Sequence, residues 1–225
     1  MNTAGLRHPL LDALGVRHGF GLRDVPPPSD VVRPRQVHGI RVAVPQDGCA
    51  EPDEADAIVS TERSHPVGIV TADCVPVLAA SRNGEAVAAI HAGWRGLAAG
   101  VVEQGIDALR RVAGAESAPV VVLGPHIGPC CYEVDEPVLD PLRARFGDAL
   151  DAATRPAGPQ RPGRRMLDLA FLVAVDLERA GIRESHQGRI QDACTFCNPE
   201  RFHSFRRDAD RAGRLLHYVQ PKRSS

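Results

Sequence analysis

Apolar and polar positions along the chain alternate between short strand-like runs and longer helical repeats, the pattern of an α/β protein. Residues 31–32 and 40–44 read as strands on either side of a Gln-Val-His-Gly segment. Residues 49–54 form a polar loop, and 56–60 a further short strand. The run 67–80 is long and apolar, interrupted by Asp73, Cys74 and Pro76. It ends at Ser81-Arg82-Asn83-Gly84-Glu85, and Asn-Gly between apolar runs is a strong hairpin signal. Residues 86–90 return as the partner strand.

Beyond the hairpin, Leu97, Val101, Ile106 and Leu109 place one apolar face on a helix over 95–112. Residues 120–123 make a buried strand that leads into the turn-rich loop Gly124-Pro125-His126-Ile127-Gly128-Pro129. Helices are predicted over 136–150 and 166–180, separated by a Pro-, Gly- and Arg-rich mobile surface loop over 155–165. A last strand, 215–219, precedes a polar tail. With no internal repeat or low-complexity stretch, residues 1–225 read as one α/β domain, a mixed sheet with flanking helices.

The hairpin also fixes a register. If Asn83 and Gly84 are its two loop residues, His91 lies opposite Pro76, and Cys74 lies two residues further along on the same face. Such diagonal neighbours are about 7–8 Å apart at Cα, within reach of one ion. Pro76 cannot donate to the ladder, so a bulge or an edge position is expected there. His38 has no such local connection to the other two.

His38, Cys74 and His91 are nonetheless the most suggestive donors in the chain. Two imidazoles and a thiolate suit a borderline-soft ion such as zinc, and three protein ligands leave a fourth position open, as in catalytic sites. The same set accepts a single copper ion, which outranks zinc in intrinsic affinity. After His91 the chain turns through Ala92-Gly93 into a helix, offering backbone N–H groups to an anion beside Arg95, with Arg35 as a second cation. Asp73 is either a general base or a group orienting a ligating imidazole, or else it caps a turn. His126 sits on a loop after a strand, where it binds substrate or fixes the loop. Arg206, in Ser204-Phe205-Arg206-Arg207-Asp208, is a candidate substrate contact or part of a solvated charge run.

Six cysteines at 49, 74, 130, 131, 194 and 197 suggest ligation or burial more than a disulfide framework in a chain of this size. Cys194-Thr195-Phe196-Cys197 lacks a second C-x-x-C for a structural zinc site, and burial near a site is the reading it supports. A net charge of −1 leaves no electrostatic footprint for nucleic acid or a membrane surface. No run approaches the roughly 20 apolar residues of a membrane span. Residues 1–20 do not read as a signal peptide, so the expected address is the cytoplasm. The oligomeric state is left open.

Five segments in order carry a family resemblance: Arg-Gln-Val-His-Gly at 35–39, Thr-Ala-Asp-Cys-Val-Pro-Val at 71–77, His-Ala-Gly-Trp-Arg-Gly at 91–96, Gly-Pro-His-Ile-Gly-Pro-Cys-Cys-Tyr-Glu-Val at 124–134, and Cys-Thr-Phe-Cys with Phe-His-Ser-Phe-Arg-Arg-Asp over 194–208. The chain resembles the YfiH-type family, also called the laccase-domain or polyphenol oxidoreductase family and the peptidoglycan editing factor family. The resemblance implies a fold like the catalytic domain of cytotoxic necrotizing factor and a zinc site from His38, Cys74 and His91. It implies phosphorolysis of adenosine, inosine, guanosine and methylthioadenosine, with adenosine deamination, so that the partners are a purine nucleoside and phosphate. Residues 208–214 depart from the family's more typical Gly-Arg-Gln segment.

Three alternatives remain. A copper-dependent polyphenol oxidase of the multi-copper kind is excluded on ligand count, since the chain has nine histidines and no His-x-His; one copper in the same pocket is not. A cysteine hydrolase or deamidase would use Cys74 as nucleophile and His91 as base. A non-catalytic editing protein would bind cell-wall precursors.

Overall fold

The computed structural model describes residues 5–45, 54–114 and 118–223. The chain runs through α1 (Pro9–Asp12), β1 (Arg17–Gly19), β2 (Val42–Ala43), β3 (Ala57–Ser60), β4 (Val67–Thr71), β5 (Val75–Ala80) and β6 (Val87–Ala92). It continues through α2 (Trp94–Ala99), α3 (Val101–Ala113), β7 (Val120–Leu123), β8 (Glu133–Val134), α4 (Glu136–Phe146) and α5 (Asp148–Ala152). β9 (Thr154–Pro156), β10 (Arg165–Leu167), α6 (Leu169–Arg179), β11 (Gln187–Arg189), α7 (Phe205–Asp208) and β12 (Leu215–Gln220) complete it.

A six-stranded sheet of order β11-β7-β5-β6-β3-β2 forms the middle layer; it is parallel at its two edge pairs and antiparallel between. Its central strands β5 and β6 are buried along their whole length, so they read as apolar runs rather than alternating ones. Side-chain alternation then sorts the core. Val75, Val77, Ala88, Ile90 and Ala92 face helices α2, α3, α4 and α6. Leu78, Ala80, Val87 and Ala89 face the other way, against the antiparallel sheet β1-β12-β4 and Leu11 of α1. The result is a mixed α/β fold with helices on one face of the large sheet and a small sheet on the other.

The hairpin register is the expected one: Ala80 pairs with Val87 and Pro76 with His91. The loop is longer than two residues, because the last ladder bond joins Ser81 N–H to the Ala86 carbonyl and the Gly84 N–H turns back to the Ser81 carbonyl. Pro76 brings neither bulge nor edge. Its carbonyl accepts from Gly124 N–H (2.9 Å), and its nitrogen faces the same side, past the last β5–β7 pair, Val77 with Leu123.

Other boundaries shift for local reasons. The helix expected over 95–112 is two helices broken at Gly100, whose φ of +97° favours glycine. The one expected over 136–150 breaks at Gly147. The one expected from 166 starts at Leu169, because Asp168 caps it by accepting from Phe171 N–H (3.0 Å). Residues 165–167 instead pair with 154–156, so the surface loop is a short hairpin at its base. Val32 makes only an isolated bridge to Val67, and of the expected polar loop only Glu54 lies within the described residues.

Gly105 of α3 packs on β6, where an added Cβ would lie 2.5 Å from Ile90 Cδ1 and 2.7 Å from its Cγ1. Replacing a helix-interior glycine by alanine ordinarily gains about 1 kcal/mol, whereas overpacking a core costs about 1–3 kcal/mol. Gly105→Ala is therefore expected to lower the urea midpoint, and Ile90→Val to cost less in that background than alone. A clear gain in stability would contradict this packing.

Candidate metal centre

The site begins with one buried carboxylate. Asp56 immediately precedes β3 and is fully occluded from solvent. Its oxygens accept from three successive backbone N–H groups, Val37 (3.2 Å), His38 (2.9 Å) and Gly39 (2.6 Å). They also accept from His91 Nδ1 (2.8 Å). Burial alone would raise its pKa, but these hydrogen bonds hold it below the usual carboxylate range. The amide of Gln36 adds a second anchor: Nε2 donates to the Val70 carbonyl (2.8 Å), and Oε1 accepts from Val70 N–H (2.7 Å). Thus the Gln36 side chain ties Gln-Val-His-Gly to β4, with His38 held at φ 59°.

These anchors bring the donor atoms of His38, Cys74 and His91 to within 4.8 Å of one another. The His38 and His91 rings meet edge to face, 4.8 Å between centroids. Because His91 donates from Nδ1 to Asp56, its Nε2 is left to ligate. Gly93 lies against the cluster: an added Cβ would sit 2.9 Å from His38 Nδ1 and 3.0 Å from Cys74 Sγ. A soft N,N,S donor set, an oriented imidazole and a glycine where any side chain would intrude all fit a transition-metal ion. Burial tends to lower the His91 pKa, but Cys74 and Asp56 raise it to about 9. His38 is shifted down by burial and by the nearby His91 and Arg95.

The cluster lies in the wall of a cavity of about 630 Å³, in the size range of small-molecule sites. Arg33, Arg35, Arg95, Arg206 and Arg214 line it, against a single carboxylate, Asp73. Trp94, Tyr132 and Phe205 supply aromatic faces. The Arg95 guanidinium lies over Trp94 (4.3 Å) and that of Arg206 over Tyr132 (5.1 Å). Arg35 reaches the rim and pairs with Glu54.

Asp73, in the positive-φ region at 91°, has both oxygens engaged. Oδ1 accepts from Thr195 Oγ1 (2.5 Å) and Oδ2 from Arg206 N–H (2.6 Å). His126 does not line the cavity; its Nδ1 donates to the Gly124 carbonyl (2.7 Å), and burial lowers its pKa, so it secures its own loop. The sequence did not single out Arg33, Trp94, Tyr132, Phe205, Arg214 or Asp56. Arg214 belongs to the segment that departs from the family pattern, and Tyr132 sits inside the Cys-Cys-Tyr-Glu-Val motif. Asp56 carried no signal beyond a polar residue heading an apolar strand.

Residues 22–222 match the family model described as multi-copper polyphenol oxidoreductase laccase. The chain is 41% identical over 187 residues to the purine nucleoside phosphorylase of Pseudomonas aeruginosa, covering 82% of this chain and 71% of that protein. It is 34% identical to purine nucleoside phosphorylase YfiH of Escherichia coli, over 85% of this chain and 74% of the relative. The crystal structure of hypothetical protein YfiH from Bacillus licheniformis superposes with a TM-score of 0.78 at 28% identity, over 86% of this chain and 74% of that one. YlmD from Geobacillus stearothermophilus superposes with a TM-score of 0.72 at 30% identity, over the same shares.

Asp56→Asn removes the charge that orients His91 and is expected to weaken Zn²⁺ binding by roughly 10–100-fold in a chelator-competition titration; unchanged affinity would contradict the role given to Asp56. Below about pH 9 a proton on His91 competes with the ion. Zn²⁺ addition at pH 7.5 should therefore release protons, and affinity should rise with pH until about 9. Uptake without proton release would contradict ligation by His91.

Proposed function

The chain belongs to the multi-copper polyphenol oxidoreductase laccase family, and on that footing we propose that it is a cytoplasmic, zinc-dependent purine nucleoside phosphorylase acting at the His38–Cys74–His91 cavity. The observation that carries the reading is the cavity's composition: metal donors, aromatic faces and five arginines against one engaged carboxylate. Phosphate is the anion such a lining suits, and a purine is the flat, polar-edged group its aromatic faces suit. The curated relatives named above carry the same activity in their names.

When bound, an ion held by His38, Cys74 and His91 supplies a Lewis acid that polarises an oxygen nucleophile. The arginines bind phosphate and turn one of its oxygens toward ribose C1′. That oxygen forms the new C–O bond as the glycosidic bond breaks, and the purine leaves with the electron pair. Tyr132, whose phenol stays protonated at neutral pH because burial raises its pKa, offers a hydrogen bond to the departing base, which takes its proton from solvent. The products are the free base and ribose 1-phosphate. Adenosine, inosine, guanosine and methylthioadenosine all present the same C1′ centre.

Adenosine deamination is a second activity we assign to this site, with Asp73 moving the proton. Both Asp73 oxygens already accept hydrogen bonds, so this reaction requires the Thr195 hydroxyl or the Arg206 amide to release one. Phosphorolysis needs no such release and is the main reaction. Despite the family's description, the donors argue for a single ion rather than a multi-copper centre: of the histidines, only His38 and His91 join a donor cluster among the described residues.

Inosine with phosphate should yield hypoxanthine and ribose 1-phosphate, and Cys74→Ala or a strong chelator should abolish turnover. Arg95→Ala should raise KM for phosphate roughly tenfold, about the 1.5 kcal/mol of one charge-assisted hydrogen bond. Phenol oxidation without nucleoside turnover would overturn the reading. Chelator-resistant turnover that alkylation of Cys74 abolishes would point instead to cysteine nucleophilic chemistry.

A further inference from the structure

We propose that Cys130, Cys131, Cys194 and Cys197 form a second, structural zinc site that clamps the loop carrying the cavity residue Tyr132 to the Cys194–Cys197 turn, whose Thr195 holds Asp73. The C-x-x-C at 194–197 is not buried near a site as expected from sequence: Cys197 is exposed and Cys194 half-buried. Nor is it alone. The missing pair of thiols is supplied by the adjacent Cys130 and Cys131, from the loop that follows β7. All four sulfurs lie within 4.8 Å of one another.

The spacing decides between the chemistries open to four thiols. Cys130 Sγ lies 3.6 Å from Cys194 Sγ and 3.7 Å from Cys197 Sγ, and Cys131 Sγ lies 3.2 Å from Cys197 Sγ. A disulfide needs about 2.05 Å between sulfurs. A tetrahedral ion with Zn–S bonds of about 2.3 Å places its sulfurs about 3.8 Å apart. The observed separations approach the second value.

The backbone is arranged to support a sulfur ligand. Gly128 N–H donates to Cys194 Sγ (3.3 Å), and Asn198 Nδ2 donates to the Cys194 carbonyl (2.8 Å), fixing the C-x-x-C turn. With four protein thiolates the coordination shell is closed, which marks a structural site rather than a catalytic one.

Its position gives it a job. Cys131 precedes Tyr132, and Cys194 precedes Thr195, whose hydroxyl donates to Asp73. Arg207 ties the same segment further by donating to the Thr195 carbonyl (2.8 Å). An ion at this point joins the Tyr132 loop to the segment that delivers Thr195 and Arg206. It is distinct from the His38–Cys74–His91 cluster and does not depend on which reaction that cluster supports.

The test is elemental analysis of full-length protein produced with Zn²⁺ and dialysed. Wild type should retain two ions per chain, Cys74→Ala one, and Cys194→Ser/Cys197→Ser one, the last with a raised KM. A single ion in wild type that disappears in Cys74→Ala would overturn the proposal, as would two ions in the double variant. If the double variant fails to fold, native wild type answers the question through iodoacetamide labelling mapped by peptide mass. Cysteines 130, 131, 194 and 197 should resist labelling until a chelator is added. Immediate labelling of the zinc-loaded protein, or recovery of these residues as disulfides, would overturn the site.

Discussion

The Asp56 carboxylate is the constraint from which the rest of the site follows. A charge withdrawn completely from water costs several kcal/mol unless donors replace the lost solvent. Asp56 has four such donors, three from the Val37–Gly39 backbone and one from His91. Satisfying that one carboxylate places a distant loop against the end of β6, forces His38 into the left-handed region and fixes which nitrogen of His91 is free. The only other anchors described for the segment are the Gln36 amide bonds to Val70 and the edge-to-face contact of His38 with His91.

The hairpin half of the centre was legible because it is local. Sequence separation is short, the Asn-Gly turn is explicit, and two-residue side-chain periodicity puts Cys74 and His91 on one face once the register is set. Pro76 threatened that inference, yet its nitrogen falls just past the β7 ladder, where no donor is needed. The apolar faces of the helices were equally legible, but their ends were not. Gly100 and Gly147 break continuous patterns, and Asp168 starts α6 later than apolarity alone suggests.

What stayed hidden is what depends on contacts across the fold. Nothing local joins Asp56 to residues 37–39, Gln36 to Val70, or Arg33 and Arg214 to one cavity. His126 shows the reverse error: a polar residue on a loop after a strand, whose side chain is consumed by its own loop. The cysteines show a third case, in which Cys194 and Cys197 read as incomplete because their partners lie more than sixty positions away. In each instance residue type announced chemistry, while only the sheet topology said which groups share it.

Phosphorolysis at this site requires that the metal donors, the anion-binding arginines and the base-stacking aromatics of one cavity serve a single reaction. A crystal structure of the zinc-loaded protein with inosine and sulfate, an unreactive stand-in for phosphate, tests this most directly. The purine should lie against Trp94, Tyr132 or Phe205, sulfate among the cavity arginines, and ribose C1′ between the sulfate and the base beside the His38–Cys74–His91 ion. A nucleoside bound elsewhere, or a metal bound away from those three residues, would contradict it.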